Sequence, residues 1–328
     1  MAGSWTSTCC GGAGMSDTLV RALPLYGLPA DTPLTLLNRS ENETWRAGDL
    51  ILRLHRQGYH TKPEIASELA WLTALQDLPG LRAVRPVAGA QGLVTEVQGR
   101  FIVGFAPIDG QELQPGDDLA QWFAPLGEIT ARLHLQSRGW TRPTGFARKR
   151  WDVQTILGPQ PHWGHWLQAP GLDVAGKALL TRATDTLADQ LHAYGTGPET
   201  FGLIHADLRL ANLMVDTQGL TAIDFDDCGF GWWVYDLASA LSFIETDPRL
   251  PDLIARWCDG YTRIARLRPE DCAMIPAMIF LRRVLLTAWL ATRADSDTAQ
   301  SLGGAAYTQG TLALAEGFLT DGLQHFRP

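Results

Sequence analysis

Five polar residues stand within one short stretch of the chain: His205, Asp207, Asn212, Asp224 and Asp236. Asp207 and Asn212 precede a short apolar hairpin, and Asp224 follows it. Because a tight hairpin returns the chain to where it began, we expect Asn212 and Asp224 to lie close together. An amide oxygen and a carboxylate oxygen on loops suit Mg²⁺, which takes its other ligands from water and phosphate. Asp207 is then expected beside the metal as a hydrogen-bonding base.

The order of these residues resembles a known family. The run from His205 to Asn212 has the form H-x-D-L-x-x-x-N, and Asp224-Phe225 follows at the end of the hairpin. Both are similar to the catalytic and metal-binding loops of the protein-kinase-like superfamily. His205-Ala206-Asp207 and Tyr235-Asp236-Leu237-Ala238 look most like the aminoglycoside phosphotransferase and choline kinase branch. Within it, Glu41-Asn42-Glu43-Thr44 and the helix Glu64–Leu69 are similar to the group with type II homoserine kinases and stress-response kinases.

The resemblance covers roughly residues 34–320 and implies ATP and Mg²⁺ as cofactors. It implies that Asp207 orients and deprotonates an acceptor hydroxyl, and that Arg209 contacts the γ-phosphate. It also implies that Asn212 and Asp224 hold Mg²⁺ against the triphosphate.

Two further residues are expected to support the catalytic loop. His205 is expected to be a structural hydrogen-bonding residue, not a ligand or a base. Asp236 stands at the start of a predicted helix, so it either caps that helix or braces the catalytic loop, and we favour the brace.

The nucleotide-binding residues depart from the family pattern. The strand cation of the family is normally Lys, but the three lysines of this chain, Lys62, Lys149 and Lys177, do not lie in a strand pattern. Arg53 takes the position, and its guanidinium can clamp phosphate. Its expected partner is Glu68, with Glu64 as second choice, and we assign Asn42 to the same nucleotide site.

The elements that must position these residues change in character along the chain. Strands are predicted at 34–37, 44–46, 50–55, 92–97 and 101–105, with a helix after Pro63. A hinge near 106–112 precedes helices at 119–133, 174–193, 249–265 and 270–293 and strands at 202–205, 213–215 and 220–223. The predicted fold class is α+β, a bilobal protein-kinase-like fold with a small antiparallel-sheet N-lobe and a large, mostly helical C-lobe. We predict a disordered tail over 1–15, a nucleotide-covering lobe over 16–106 and a helical lobe over 107–328.

Composition narrows the function classes. The 328 residues carry a formal net charge of −8 without a basic tract, which argues against nucleic acid and anionic membranes as partners. No segment is expected to reach the roughly 18 apolar residues of a membrane helix, and the most apolar stretch, 273–281, is predicted to be a core helix. The five cysteines include no CxxC pair, which indicates a reduced, cytoplasmic protein.

The predicted function is transfer of the γ-phosphate of ATP to a hydroxyl of a small molecule, such as an aminoglycoside, homoserine or choline-like acceptor. The acidic residues Asp226, Asp227 and Glu245 suit an aminated acceptor, and Arg282 and Arg283 suit a carboxylated one. Asp226 is alternatively a second metal ligand. Two other functions stay open: a protein Ser/Thr kinase of the stress-response type, and a nucleotide-binding pseudokinase, which the arginine at position 53 favours.

Overall fold

The computed structural model describes residues 13–39, 42–294 and 297–328. Their contacts form two compact units, one running to Thr73 and resuming over Arg85–Pro107, the other made of Ala74–Val84 and Ile108–Pro328. The division into 16–106 and 107–328 stays a prediction, and the contacts differ from it by assigning Ala74–Val84 to the second unit. The tail predicted over 1–15 lies outside the described residues up to position 12, and a helix begins at Ala13.

The first unit is built on an antiparallel sheet whose strands follow the order β1-β2-β3-β6-β4, with β5 also paired to β6. Alternation along β3 divides its side chains between two faces. Leu50, Leu52 and Leu54 pack into an apolar cluster with Leu19 of helix α1, and Arg53 lies on the opposite face. The elements are α1 (Ala13–Ala22), β1 (Leu34–Arg39), β2 (Glu43–Ala47), β3 (Leu50–Leu54), α2 (Lys62–Leu75), β4 (Pro86–Val87), β5 (Thr95–Val97) and β6 (Arg100–Phe105).

The second unit is mainly helical and contains two small sheets, of order β10-β9-β7 and β11-β8. Strand β8 ends directly before His205, strand β9 begins directly after Asn212, and strand β10 ends two residues before Asp224. The elements are β7 (Gln111–Glu112), α3 (Ala120–Gly139), α4 (Val153–Ile156), α5 (Val174–Tyr194), β8 (Phe201–Ile204), β9 (Leu213–Asp216), β10 (Gly219–Ala222), β11 (Gly229–Trp232), α6 (Tyr235–Ala240), α7 (Leu250–Thr262), α8 (Pro269–Thr292), α9 (Asp297–Leu302) and α10 (Gly304–Asp321).

Helix α8 forms the centre of the second unit. Among the described residues it is the one helix long and apolar enough to span a membrane by length and composition, so the expectation that no segment would be was wrong. Its most apolar window is 89% buried inside the protein, which is the environment of a core helix. The prediction of a core helix over 273–281 is therefore confirmed.

Candidate active site

The loop between β8 and β9 is held by one buried carboxylate. Asp236 Oδ2 accepts a hydrogen bond from the backbone N–H of His205 at 3.1 Å, and its Oδ1 accepts one from the N–H of Ala206 at 2.7 Å. Ala206 has φ of +67°, a left-handed conformation that costs a non-glycine residue about 1 kcal/mol or more. The two hydrogen bonds offset this cost. Helix α6 has Val234 as its N-cap without a side-chain cap bond, so Asp236 contacts the loop and does not cap the helix.

Asp207 follows Ala206, and both of its carboxylate oxygens have partners. Arg282 Nη2 donates to Oδ1, and Asn212 Nδ2 donates to Oδ2 at 2.8 Å. Arg209 Nε lies 3.5 Å from Oδ2. Burial raises the pKa of Asp207, but the positive charges of Arg282 and Arg209 outweigh it and leave the pKa below its usual value. The carboxylate is therefore ionised at neutral pH.

The hairpin brings Asn212 and Asp224 together. Strands β9 and β10 pair from Leu213 opposite Ala222 to Asp216 opposite Gly219. Beyond the last pair, the N–H of Ile223 donates to the backbone carbonyl of Asn212 at 2.9 Å. Asp224 is the next residue and has φ of +59°. The predicted proximity of these two residues thus follows from the register of the hairpin.

The Asn212 and Asp224 side chains fit a hard divalent cation. The Nδ2 group of Asn212 donates to the Asp207 carbonyl and to the Asp207 carboxylate, both at 2.8 Å, so its Oδ1 is the atom left to bind a metal. Within the described parts of the chain, no three His, Cys, Asp or Glu side chains group as ligands of one ion. An amide and a carboxylate supply only part of a coordination shell, as in sites where Mg²⁺ keeps water and phosphate ligands.

His205 connects the Asp207 loop to the end of the hairpin. Its Nε2 lies 3.0 Å from the carbonyl oxygen of Ile223, and its Nδ1 lies 3.2 Å from the N–H of Asp207. A carbonyl can only accept, so Nε2 carries the proton and Nδ1 accepts from Asp207. Burial lowers the pKa of His205, which keeps the ring in this neutral form.

The loop after Asp224 is fixed through its backbone carbonyls. Arg148 donates to the carbonyls of Asp226 and Cys228, and Trp151 Nε1 donates to the carbonyl of Asp227 at 2.8 Å. Because three consecutive carbonyls are bound by side chains from residues 148–151, the loop has a single well-defined course. The Asp226 side chain is buried. Its expected role, as a ligand of a second metal or of a cationic acceptor, stays a prediction.

In the first unit, Arg53 and Glu68 form a buried ion pair. Arg53 Nη1 lies 2.7 Å from Glu68 Oε1, and the guanidinium lies over the ring of Phe105. Glu64, the second-choice partner, instead accepts from the N–H of Thr61 at 2.7 Å at the start of α2. Asn42 Oδ1 accepts from the N–H of Arg56 at 3.1 Å. Glu41, part of the run that carried the resemblance, lies outside the described residues.

Comparison with known proteins identifies the family. A family model described as "Phosphotransferase enzyme family" matches residues 35–269. The chain belongs to the phosphotransferase enzyme family. It is a kinase with an alcohol group as phosphoryl acceptor, as the sequence predicted.

Similar proteins agree with this assignment. The kinase is 24% identical over 302 residues to amicoumacin kinase of Bacillus subtilis (strain 168), covering 86% of each chain. It is 24% identical over 294 residues to stress response kinase A of Escherichia coli (strain K12), covering 84% of this chain and 83% of the relative. The solved structure of a microcompartment-associated aminopropanol kinase is 43% identical, with a TM-score of 0.84 and coverage of 94% of this chain and 98% of that one. The predicted α+β kinase-like class is confirmed.

Three residues of the kinase that contact these loops were not assigned to them from the sequence. Arg282 binds Asp207, Arg148 binds the loop after Asp224, and His134 Nε2 lies 3.0 Å from Asp236 Oδ2. All three are buried polar residues. The one available signal was the interruption of the apolar stretch in α8 by Arg282, because a buried cation in a core helix requires a partner.

Proposed function

We propose that this kinase transfers the γ-phosphoryl group of ATP to the hydroxyl of a small molecule, with Mg²⁺ as the metal. The observation that carries the proposal is the Asp207 carboxylate, which is ionised and hydrogen-bonded to Asn212, whose backbone carbonyl binds the residue before Asp224. Phosphoryl transfer passes through a loose transition state, so positioning and charge neutralisation supply most of the acceleration. Hydrogen bonds from Asn212 and Arg282 fix the position of the Asp207 carboxylate in the loop between β8 and β9.

Each residue has a role in the proposal. The hydroxyl of the small-molecule substrate donates a hydrogen bond to the Asp207 carboxylate. Asp207 takes the proton of this hydroxyl as the new P–O bond forms. Arg209, partly exposed beside Asp207, contacts the transferred phosphoryl group. Asn212 and Asp224 would hold Mg²⁺. The metal, when bound, neutralises charge on the phosphate oxygens.

Nucleotide binding in the first unit is proposed for Arg53, Glu68 and Asn42. The ion pair with Glu68 fixes the direction of the Arg53 guanidinium. An oriented guanidinium is suited to phosphate oxygens, and this supports the view that arginine replaces lysine here without loss of nucleotide binding.

The proposed acceptor is a short amino alcohol. Support comes from the 43% identity to a protein described as an aminopropanol kinase. A carboxylated acceptor is less well served, because Arg282 binds Asp207 and Arg283 binds Glu245 at 2.8 Å. All three nitrogens of each guanidinium are hydrogen-bonded within the protein, so neither directs a donor at a substrate carboxylate.

We also propose a cytoplasmic location. Among the described residues, Cys258 and Cys272 are free thiols, which is typical of a reducing compartment.

The experiment is an ADP-release assay with the purified 328-residue chain, ATP and MgCl₂. The acceptor panel contains 1-amino-2-propanol, ethanolamine, choline, homoserine, an aminoglycoside and a generic protein substrate. We expect ADP release to depend on a short amino alcohol and to produce one phosphomonoester per ADP. The variant Asp207→Asn should lose about 10²–10⁴-fold in kcat with little change in the KM for ATP, because it removes the base and not the nucleotide site.

Three outcomes would contradict the proposal. Phosphate incorporated only into protein would favour a protein kinase. ATP binding without turnover on any acceptor would favour a pseudokinase. Near-normal activity of Asp207→Asn would show that Asp207 is not the base.

A further inference from the structure

Arg282 is an unusual residue for its place in the fold. It lies in the middle of core helix α8 and is 1% exposed. Taking a guanidinium out of water costs several kcal/mol unless its donors are satisfied. A buried arginine at this position therefore needs hydrogen-bond acceptors that offset the free-energy cost of removing it from water.

The donors of Arg282 are directed at the catalytic loop and its surroundings. Nη2 donates to Asp207 Oδ1, and Nη1 lies 3.3 Å from the carbonyl of Ala206 and 3.4 Å from the hydroxyl of Tyr235. Nε donates to Ser242 Oγ at 2.8 Å. One guanidinium thus binds the backbone carbonyl of Ala206 and the carboxylate of the next residue, Asp207. The ring of Trp163 lies 5.3 Å from it on one side.

These contacts restrict how the Asp207 carboxylate can turn. A carboxylate offers about four lone-pair directions. Arg282 uses one on Oδ1 and Asn212 uses one on Oδ2. With one partner fixed on each oxygen, the plane of the carboxylate is set. One direction on Oδ1 is left for a further donor, since Arg209 Nε lies near Oδ2, at 3.5 Å.

We propose that Arg282 is a positioning residue, which fixes the Asp207 carboxylate so that a free lone pair faces the acceptor hydroxyl. The inference rests on the proposed role of Asp207 as base. Orientation matters more than proton affinity in a loose transition state, because little proton transfer is needed before the P–O bond to ADP breaks. A cation that binds the base is therefore compatible with catalysis.

Arg283 provides a matched control on the same helix. It is also buried, but its donors go to Glu245 Oε2 at 2.8 Å, Thr311 Oγ1 at 2.9 Å and the Tyr307 carbonyl at 2.9 Å. None of these partners belongs to the loop from His205 to Asn212. Substitution of Arg283 thus removes a buried arginine from α8 without touching Asp207.

The test compares Arg282→Lys and Arg282→Met with Arg283→Lys, using thermal unfolding, the KM for ATP and kcat on the acceptor found above. We expect Arg282→Met to lose about 10²-fold in kcat, the scale of a misplaced catalytic group, with the KM for ATP within about twofold. Arg282→Lys should recover part of the loss because it keeps one charged donor. Arg283→Lys should lower the unfolding temperature but keep kcat.

A double-variant cycle separates positioning from a general structural effect. If Arg282 acts through Asp207, adding Arg282→Lys to Asp207→Asn should reduce kcat no further. Ser242→Ala gives a milder test if Arg282→Met does not fold, because it removes the acceptor that orients Nε. We expect Ser242→Ala to lower kcat by about threefold to tenfold, the effect of losing one hydrogen bond.

The outcomes distinguish this inference from the proposed function. If the wild-type protein shows no acceptor-dependent ADP release, the proposed function is wrong. The proposed role of Arg282 is then wrong as well, because it depends on that function. If the wild-type protein turns over while Arg282→Lys and Ser242→Ala keep its kcat, only the role of Arg282 is wrong. The role of Arg282 would also be wrong if Arg282→Lys lowered kcat by the same factor in the Asp207→Asn background as in the wild-type background.

Discussion

At the scale of single residues, neutral histidines support the catalytic loop. His205 accepts from Asp207 and donates to Ile223. His134 donates from Nε2 to Asp236, since a carboxylate can only accept, and its Nδ1 accepts from the Tyr261 hydroxyl at 3.0 Å. Protonation of His205 would place a second donor against the N–H of Asp207, which can only donate. The geometry of the loop therefore depends on His205 staying neutral.

This arrangement makes the stability of the protein sensitive to mild acid. Burial lowers the pKa of His134, and the carboxylate of Asp236 only partly compensates. Below about pH 6.5 the unfolded chain binds a proton at His134 that the folded chain does not. The unfolded state then holds more protons, so the free energy of unfolding falls as pH falls, by up to about 1.4 kcal/mol per pH unit for this group. We expect the urea midpoint to decrease between about pH 7 and pH 5.

The variant His134→Gln tests the assignment. It should lower the midpoint at neutral pH but flatten its decrease toward pH 5, since one titrating group is gone. His192→Gln is the control, because His192 is exposed on α5. An identical pH dependence in wild-type protein and His134→Gln would show that His134 is not responsible.

The proximity of residues was predictable where their spacing along the chain is local. Asn212 and Asp224 flank one hairpin, so their proximity follows from the turn, and Asp207 lies five positions before Asn212. Arg282 reaches Asp207 across 75 positions, and His134 reaches Asp236 across 102. Such pairs depend on tertiary packing, and one sequence contains no spacing that reveals them.

At the scale of elements, the crossing of α3 and α7 is set by two glycines. A Cβ built on Gly127 would lie 2.1 Å from the carbonyl oxygen of Trp257, and one on Gly260 would lie 1.9 Å from the carbonyl oxygen of Ala124. The clash is with backbone on both sides, so side-chain movement cannot relieve it. The close approach lets α3 present His134 to Asp236.

We expect Gly260→Ala to destabilise the protein by about 1–3 kcal/mol or more, because the helices must separate. The gain in helix propensity, up to about 1 kcal/mol, offsets only part of this. Gly139→Ala is the matched control: it lies in α3 with nothing within 4 Å of its added Cβ, so it should be neutral or slightly stabilising. Denaturant unfolding of both variants measures the difference. Equal stabilities would mean that the helices do not approach as described.

Element predictions succeeded where periodicity was strong. Helices α3, α5, α7 and α8 and the hairpin of β9 and β10 were expected near their observed bounds. Strand β11, Gly229–Trp232, was not predicted, because its two glycines weaken the strand pattern. Gly229 is required there, since a Cβ would lie 2.6 Å from the carbonyl oxygen of Lys149.

At the scale of the whole molecule, stability and nucleotide binding are linked. A ligand that binds only the folded chain stabilises it by about 2.7 kcal/mol at 100 times its Kd. If Asn212 and Asp224 hold Mg²⁺ for the nucleotide, this gain depends on the metal. ATP with MgCl₂ should then raise the unfolding temperature by several degrees, at about 2–4 °C per kcal/mol for units of this size, and ATP with EDTA should raise it much less.

A pair of variants at the two ends of the hairpin locates the effect. In Asp224→Asn the temperature shift with ATP should no longer differ between MgCl₂ and EDTA, because the carboxylate ligand is lost. Asp216→Asn is the control: it removes the partner of Arg82, 2.6 Å away at the turn of the same hairpin, and should lower the starting temperature while the metal-dependent shift persists. Differential scanning fluorimetry measures both. A shift in wild-type protein that is as large in EDTA as in MgCl₂ would mean that the loops at Asn212 and Asp224 do not bind the nucleotide through a metal ion.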